Sequence, residues 1–424
     1  MEHLKAIAAI IVFLVTFYGI IFTKIPKSLT AVAGACLMVL IRMLTQEEAL
    51  ATIAANFEIL LLLMGMMMVV EIMSESGIFQ WLAIRVAQIA RGEPVVILAL
   101  LSLVTAVCSA FLDNVTTILL MLPISILLAK RLKIDAIPFT LFPVFACNIG
   151  GTATMIGDPP NLIISAAGNL RFNDFLVHAA PVVLVNLAVL ILTAWFLFRK
   201  KLRVSAELKA GIMDLEPGRS ITDRGLMIKS IVLFSVILAG FVTNYVTNLG
   251  LAVIAIGCSV LLLLWSNKSP VEIYQKIEWD TLFFFGGLFV VIDGLAKTGL
   301  IALAGKALVE ITAGNAKTTA YLIVILSAFL SPVVGAVPYA ISFSKVVAGM
   351  EQSMGESPVL WWALVLGACL GGNLTSIGAA ANIVATSIAE KSNVKISFPL
   401  FLKYGALIVA ESVILSLLYL FLRY

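Results

Sequence analysis

The sequence predicts an all-α polytopic membrane protein built from two related halves, and three observations support this fold class. Hydrophobic residues make up 61% of the chain, charged residues only 12%, and the mean hydropathy is +1.10, values far from those of soluble domains. A polar, Gly-rich motif interrupts the apolar sequence at residues 150–161 and again at 371–382. Further landmarks recur in the same order in both halves. Because lipid cannot satisfy freed backbone groups, both interruptions must be enclosed by protein or line a watery cavity.

Apolar runs approaching the roughly 20 residues that cross a bilayer as a helix recur along the chain, and we expect about ten to thirteen spans. Clear examples are residues 7–22, 59–70, 182–198, 231–242 and 406–422. The first run is expected to be a span and not a cleaved leader, because no small-residue cleavage pattern follows it. The five cysteines stand singly in apolar segments, which favours packing over metal binding. We therefore expect a multi-pass protein of the inner (plasma) membrane.

A single long hydrophilic segment, residues 199–229, separates a first transmembrane repeat, residues 1–198, from a second, residues 230–424. Its many Lys and Arg residues predict a cytoplasmic location under the positive-inside rule. Acidic residues interleave with the basic ones, and the aromatic or helical architecture that nucleic-acid binding needs is missing. The sequence therefore predicts a cytoplasmic basic linker and no nucleic-acid partner.

Landmarks in the two halves pair at a nearly constant offset of roughly 220 residues, which indicates internal duplication. The pairs are Glu58 with Asp280, Gly65 with Gly287, Glu71 with Asp293, Gly77 with Gly299, and Ser109 with Ser327. Duplication with a site of discontinuous helices at the repeat interface is typical of secondary transporters. We expect the repeats to be inverted. The four paired acids are left outside the predicted site, because pairing with basic residues or helix capping explains them at least as well.

A carboxylate stands inside an apolar region of the first half, in the segment Asp113-Asn114-Val115-Thr116-Thr117. A charge there costs about 2.5–3.5 kcal/mol on insertion scales and is normally retained for function. The structural alternative is a helix cap at a re-entrant turn, and the two interpretations are compatible. Because a carboxylate held away from water readily takes up a proton, Asp113 is predicted to couple transport to protons, with Asp158 as the second candidate.

The two Gly-rich motifs are predicted to break transmembrane helices. Pro159 and Pro160 remove two amide donors after Asp158, and glycines allow close backbone approach in both copies. The alternative is a packing seam of small residues between helices. The predicted solute-binding residues share small, neutral polar character at the breaks and hairpin tips: Asn114, Thr116, Thr117, Asn148, Gly150, Gly151, Thr152, Thr154, Asn161, Ser331, Gly372, Asn373, Thr375, Ser376 and Asn382.

Four segments, residues 109–117, 150–161, 327–330 and 367–391, resemble the permeases that group bacterial arsenite-efflux pumps with the melanosomal P protein, inside the ion transporter superfamily. The resemblance covers essentially the whole chain. It implies two inverted repeats, scaffold and transport domains, two re-entrant helical hairpins, two broken helices, and ion- or proton-coupled movement of a small solute. The hairpin-tip pair of these permeases falls on Asp113 and Asn114. The second half departs from the pattern, with Ser331 and Pro332 where many relatives repeat Asp-Asn.

The resemblance and the neutral polar residues together predict export of arsenite, and of antimonite by the same chemistry, in exchange for protons by alternating access. Arsenite near neutral pH is an uncharged trihydroxide that Asn, Thr and Ser side chains can hydrogen-bond. Sodium/proton antiport and transport of a small inorganic or organic anion are the alternatives. A cytoplasmic ATPase subunit and a homodimer remain candidate partners. The sequence lacks phosphate-loop, nucleophile-elbow and paired metal-ligand motifs, so neither an enzyme nor a cofactor is predicted.

Overall fold

The computed structural model describes residues 2–23 and 25–424, so Met1 and Lys24 of the predicted first repeat lie outside the described residues. All regular structure in this part of the chain is helical. The first half contains eleven α-helices: α1 (Glu2–Phe22), α2 (Lys27–Leu40), α3 (Gln46–Ala55), α4 (Phe57–Ser74), α5 (Ile78–Ile89), α6 (Pro94–Phe111), α7 (Asn114–Arg131), α8 (Ile137–Gly151), α9 (Pro159–Ala167), α10 (Phe172–His178) and α11 (Ala180–Phe198).

The linker and the second half contain eleven more α-helices and two short 3-10 helices, Pro217–Ser220 and Gly372–Leu374. The helices are α12 (Ala206–Met213), α13 (Arg224–Thr247), α14 (Leu251–Ser266), α15 (Pro270–Lys276), α16 (Trp279–Ala296), α17 (Leu300–Ile311), α18 (Ala316–Val334), α19 (Ala336–Met354), α20 (Pro358–Gly371), α21 (Ala380–Lys391) and α22 (Phe398–Arg423). Helix α13 begins at Arg224, so the last six residues of the segment 199–229 already belong to a long helix.

The order of long and short helices in α2–α9 recurs in α14–α21. Both series contain a short helix before a long one, then an amphipathic helix, a helical hairpin and a broken helix. Of the described helices, nine are long and apolar enough to cross a membrane, and five shorter apolar helices accompany them. The predicted all-α membrane fold is confirmed, whereas the inversion of the repeats stays a prediction.

Helices α1–α4 and α13–α16, called the scaffold helices below, interlock across the repeats. Helix α2 packs along α16, and α4 packs along α14. Gly65 and Gly287 make both approaches close, because a Cβ on Gly65 would lie 2.8 Å from the backbone of Ala255 and one on Gly287 would lie 2.6 Å from that of Ala31. Small residues at such crossings allow helices in a membrane to gain van der Waals contact.

The four paired acids of the sequence lie in this scaffold and not at the breaks. Glu71 binds Lys276 of α15 at 2.8 Å, and its counterpart Asp293 accepts a hydrogen bond from Thr52 of α3 at 3.1 Å. The other pair stands beside the start of a helix from the opposite half: Asp280 accepts a hydrogen bond from Ser28, and Glu58 lies against Gly250. Carboxylates at helix N-termini are favoured by the helix dipole. The structural interpretation of these acids therefore fits their contacts.

Helices α6–α11 and α18–α22, called the transport helices below, hold the two Gly-rich breaks. Each hairpin supports the broken helix of its own half, since α6 packs on α8 and α18 packs on α20. The second part of each broken helix crosses to the other half, where α9 packs against α19 and α21 against α7. This exchange brings the two breaks to the centre of the transport helices.

Candidate functional site

The first hairpin tip is a two-residue turn, Leu112-Asp113, between α6 and α7. Asp113 caps α7, because its Oδ1 accepts a hydrogen bond from the Thr116 amide at 2.9 Å. The cap interpretation of Asp113 is therefore correct, and it is compatible with the predicted proton-coupling role. Thr116 is half-buried, and Thr117 is buried with an Oγ1 that has no hydrogen-bond partner within the described part of the chain.

Asn114 joins this hairpin tip to the first broken helix. Its Oδ1 accepts a hydrogen bond from Ser109 of α6, and its Nδ2 lies 3.5 Å from Oδ1 of Asn148 on α8. The Cys147 thiol lies 3.2 Å from the Ser109 hydroxyl. A buried polar network of this kind fixes the position of the hairpin tip relative to α8.

The first break spans residues 152–158, between α8 and α9. Asn161 in the first turn of α9 closes it, because its Nδ2 donates to the carbonyl oxygens of Gly151 at 3.0 Å and Thr154 at 2.7 Å. The Thr154 hydroxyl donates to Ala110 O, and the Thr152 hydroxyl donates to Asn148 O at 2.8 Å. Side chains of the break and of α9 thus bind carbonyl groups of the broken helix and of the neighbouring hairpin, all within the same half.

Asp158 directly precedes α9 and is 7% exposed. Its side chain makes no capping bond to that helix. Asp113 lines a small cavity of about 10 Å³ together with Met66 and Met67 of the scaffold helix α4 and Ile156 of the first break. That volume accommodates about one water molecule. Asp113 therefore lies where the transport helices meet the scaffold.

The second break repeats the geometry of the first without prolines. Asn382 of α21 donates from Nδ2 to the carbonyl oxygens of Gly372 and Thr375, both at 2.8 Å, as Asn161 does in the first half. The Thr375 hydroxyl donates to Pro332 O at 3.0 Å, and Ser376 is half-buried in the loop that follows. The two Asn residues hold their breaks by one mechanism, which the matching positions in the sequence indicate.

The two broken helices meet at a buried cluster of side chains, called the crossing below, formed by Asn148, Asn161, Asn373, Asn382 and Cys369. Asn148 Nδ2 donates to Oδ1 of Asn373 and to Oδ1 of Asn382, both at 2.8 Å. The Cys369 thiol donates to Oδ1 of Asn161 at 3.1 Å. Each of these side chains is at most 1% exposed. The predicted convergence of the two breaks is therefore observed in the structure.

Gly150 and Gly371 permit this convergence. A Cβ on Gly150 would collide with the backbone of Ala106 in α6, and one on Gly371 would lie 2.6 Å from Cα of Ala328 in α18. The first residue of each Gly-Gly pair therefore lets a broken helix contact the backbone of its hairpin.

The second hairpin tip differs from the first. It lies at Gly335, whose φ of 98° and ψ of 136° favour glycine, and Ser331 lies four residues earlier inside α18. The Ser331 hydroxyl donates to Ala368 O of α20 at 2.8 Å. Ser331 therefore stands beside the broken helix, one helical turn before the tip. No carboxylate occurs at this tip, so the acidic character of the two hairpins is unequal.

The predicted binding residues do not include Tyr339, Cys369 or Ser109, although all three take part in the site. In the sequence, Ser109 stood out only as a repeat landmark and Cys369 only as a cysteine close to the second Gly-rich motif. The Tyr339 hydroxyl lies 3.0 Å from that of Ser327, the counterpart of Ser109, so a tyrosine takes the place that Asn114 has in the first hairpin. Cys369 corresponds to Asn148 when the Gly-Gly pairs are aligned. That alignment was the signal that could have identified Cys369. No comparable signal pointed to Tyr339.

Comparison with known proteins extends this description. Residues 17–367 match the citrate transporter (CitMHS) family, which is most of the chain. The chain belongs to this family. An uncharacterised transporter of Mycobacterium tuberculosis is 38% identical over 424 residues that cover 99% of both proteins. The P protein of Sus scrofa is 31% identical over 484 residues, 95% of this chain and 57% of that protein.

Among solved structures, the chain is similar to the YdaH transporter of Alcanivorax borkumensis, with a TM-score of 0.54 and 14% identity over 90% of each chain. That likeness concerns the fold alone. The relatives in the citrate transporter family confirm a membrane transporter and not an enzyme, and they confirm the expected relationship to the P protein. The assignment to arsenite-efflux permeases in particular is taken up as a proposal below.

Proposed function

We propose that the chain is a secondary transporter that exports arsenite, and antimonite by the same chemistry, across the plasma membrane in exchange for protons. One observation supports this choice above all: the two broken helices meet in buried neutral amides, with two carboxylates nearby and no basic side chain. No Lys, Arg or His occurs in α8, α9, α20 or the two breaks. A small uncharged solute suits such a site better than an anion does.

The hydrogen-bonding capacity of the crossing matches a compact polyhydroxyl solute. In this conformation the amides bind one another, because Asn148 donates to both Asn373 and Asn382. An entering trihydroxide exchanges these bonds for bonds to its own hydroxyls, and exchanges of this kind change the free energy little. The hydroxyl of Thr117, which has no partner among the described residues, offers a further contact at the first hairpin. The solute therefore replaces the amide–amide bonds when the crossing opens.

In this proposal, Asp113 alternates between protonated and ionised forms. The Thr116 amide and the N-terminus of α7 favour its anion, whereas enclosure away from water favours the protonated acid. If water gains or loses access to the cavity beside Met66 and Met67, the balance between the ionised and protonated forms of Asp113 changes. Proton binding on one side and solute binding on the other then drive alternating access.

Citrate is the second candidate, and the family to which the chain belongs favours it. Lys345 of the second hairpin is the basic residue nearest in sequence to that tip, and it is bound to Asp293 of the scaffold at 2.6 Å. Without a free basic partner in the breaks, we expect citrate to enter only with protons or a cation that neutralise it. Sodium/proton antiport would use the same carboxylates with no organic solute.

The test is transport in everted membrane vesicles with radiolabelled arsenite and radiolabelled citrate in parallel, with pH and sodium gradients imposed separately. Proton-driven accumulation of arsenite supports the proposal. Accumulation of citrate alone, or proton flux that depends only on sodium, assigns the second candidate or the antiporter instead. Vesicles without the protein and vesicles with the Asn148→Ala variant are the controls.

A further inference from the structure

Glu411 is a carboxylate in the interior of α22, the longest helix of the second half, and the mechanism above does not use it. It lies eight residues from Lys403 and twelve from Arg423 along this helix. At 1.5 Å per residue these separations are about 12 Å and 18 Å, which together equal the roughly 30 Å of a hydrocarbon core. Glu411 therefore lies within the bilayer, nearer the Lys403 end.

Three contacts show how α22 lies against α10 and α11. His178 contacts Tyr424, Phe198 packs against Tyr404, and Thr193 donates to Glu411 between them. The helices are antiparallel, and the Thr193–Glu411 contact falls inside the shared span. The Thr193 Oγ1 to Glu411 Oε1 distance is 2.8 Å.

Among the described residues, the helices that pack against α22 bring no compensating charge to Glu411. Helix α22 packs against α8, α11, α18 and α20. Three of these, α8, α11 and α20, contain no charged residue, and the only charged residue of α18, Lys317, is in its first turn. On α22 itself, the residues around Glu411 form an exposed apolar stripe: Leu407, Ile414 and Leu418. Glu411 is half-buried at the flank of this stripe that faces Thr193.

We propose that Glu411, with Thr193 as its hydrogen-bond partner, is a proton-binding carboxyl site in the bilayer, separate from the crossing, and that it reacts with hydrophobic carbodiimides. An ionised carboxylate facing lipid without a cation is costly, so these surroundings favour the protonated acid. A hydrophobic carbodiimide dissolves in the bilayer and meets such an acid directly.

The reaction is balanced without a further reagent. The carboxyl oxygen bonds to the central carbon of the carbodiimide, one C=N bond becomes a single bond, and the carboxyl proton moves to that nitrogen. The O-acylisourea then rearranges to a stable N-acylurea, in which the whole carbodiimide is retained on the residue. Because the ionised form lacks the proton, labelling reports protonation of Glu411.

The experiment uses the full chain in liposomes, treated with dicyclohexylcarbodiimide and mapped by mass spectrometry. We expect labelling at Glu411 in the unchanged protein and its loss in Glu411→Gln, while a water-soluble carbodiimide with an amine labels exposed Glu47 and not Glu411. Asp113 and Asp158 lie on other proteolytic peptides, so any labelling of these two residues is measured separately. An unlabelled Glu411 at about pH 5, or labelling that is weaker at about pH 5 than at about pH 9, would overturn the proposal.

Thr193→Val gives a second measurement that a purely structural role would not change. The Thr193 hydroxyl stabilises the ionised form of Glu411 by donating a hydrogen bond to it, so its loss should favour the protonated form. We therefore expect the labelling of Thr193→Val to decline at a pH about one unit higher than in the unchanged protein, which corresponds to a tenfold change in the ratio of ionised to protonated acid. Thr243→Val is the matched control, because the Thr243 hydroxyl binds only backbone carbonyls of its own helix. A pH profile of Thr193→Val identical to that of the control contradicts the pairing. The assay needs no transported solute, so its result is independent of the proposed function.

Discussion

Asn148 Nδ2 lies 2.8 Å from Oδ1 of Asn382, and the same relationship exists in reverse between Cys369 and Asn161. In each broken helix, a side chain before the break therefore donates a hydrogen bond to the Asn that closes the break of the other half. Loss of either contact exposes an unpaired polar group in a buried site, which costs about 1–3 kcal/mol. The two breaks are consequently one cooperative unit, and opening one disturbs the other.

Asn148→Ala should lower both transport and stability. It removes the donor to Asn373 and Asn382 and leaves their oxygens unpaired, so we expect a loss of about 2–4 kcal/mol of stability and little residual solute flux. Thermal unfolding in detergent and vesicle transport are the measurements. The control is Asn173→Ala, which removes a single contact to Val242 O far from the crossing. Equal melting temperatures for the two variants would contradict a cooperative crossing.

Asp113→Asn should abolish proton coupling while the protein stays folded. Asparagine accepts the Thr116 amide as aspartate does, so the cap of α7 is retained. We expect solute exchange down its own gradient to continue and proton-driven accumulation to disappear. Asp113→Ala is the companion variant, which also loses the cap at a cost of about 1 kcal/mol. Full proton-driven export by Asp113→Asn would transfer the coupling role to another residue, with Asp158 the first to test.

Much of this site follows from the sequence because lipid makes a polar interruption conspicuous. The Gly-Gly motifs and Asp113 stand out from apolar surroundings, and their duplication indicates that the breaks belong to one site. The repeat pattern also showed that Glu58, Glu71, Asp280 and Asp293 form matched pairs outside the two Gly-rich motifs. Glu71, Asp280 and Asp293 bind partners in the scaffold, as pairing or capping would require, and Asp293 also binds Lys345 of the second hairpin.

Side-chain partners across the halves could not be predicted from spacing. Asn148 and Cys369 are equivalent in the repeat yet differ in chemistry, and their partners depend on how α8 and α20 cross. The shift of the second tip to Gly335 depends on backbone geometry, since Ser331 continues α18 despite Pro332. Glu411 was visible as a lone acid in an apolar run, but its partner Thr193 lies 218 residues away.

Gly371→Ala should destabilise the second broken helix by overpacking. The added Cβ would lie 2.6 Å from Cα of Ala328, a backbone atom that moves only with the whole of α18. Overpacking of this kind costs about 1–3 kcal/mol. Gly286→Ala is the control, because nothing lies within 4 Å of its Cβ. We expect a lower melting temperature and weaker transport for Gly371→Ala alone. A melting temperature that matches the control would show that α18 and α20 separate without cost.

The contact between Lys345 of the second hairpin and Asp293 of the scaffold should control the rate of transport more than stability. The ion pair spans 2.6 Å between half-exposed groups, and such pairs contribute about 0–1 kcal/mol. If the transport helices move against the scaffold, this contact must break in each cycle. Lys345→Met should therefore change the turnover rate with the melting temperature nearly constant. An exchange of the two charges, Lys345→Asp with Asp293→Lys, should restore the original rate, and a rate that stays altered would exclude the contact as the cause.

The linker between the repeats contacts α5, and paired glycines before α5 and its counterpart α17 test the importance of this contact. Gln88 of α5 donates to Leu215 O of the linker at 2.7 Å, and Thr222 N donates to Ser76 O at 3.0 Å. Gly77 and Gly299 precede the two helices with nearly equal φ of 79° and 81°. A Cβ on Gly77 would collide with Ser220 O, whereas no atom of the described residues lies within 4 Å of one on Gly299.

Both Gly77→Ala and Gly299→Ala therefore carry the same backbone penalty, of about 1–2 kcal/mol for a left-handed residue. Only Gly77→Ala also displaces the linker. We expect trypsin to cleave at Arg219 and Arg224 faster in Gly77→Ala than in Gly299→Ala, because the peptide that carries them loses its contact with α5. Equal cleavage rates in the two variants would mean that the linker does not depend on this contact.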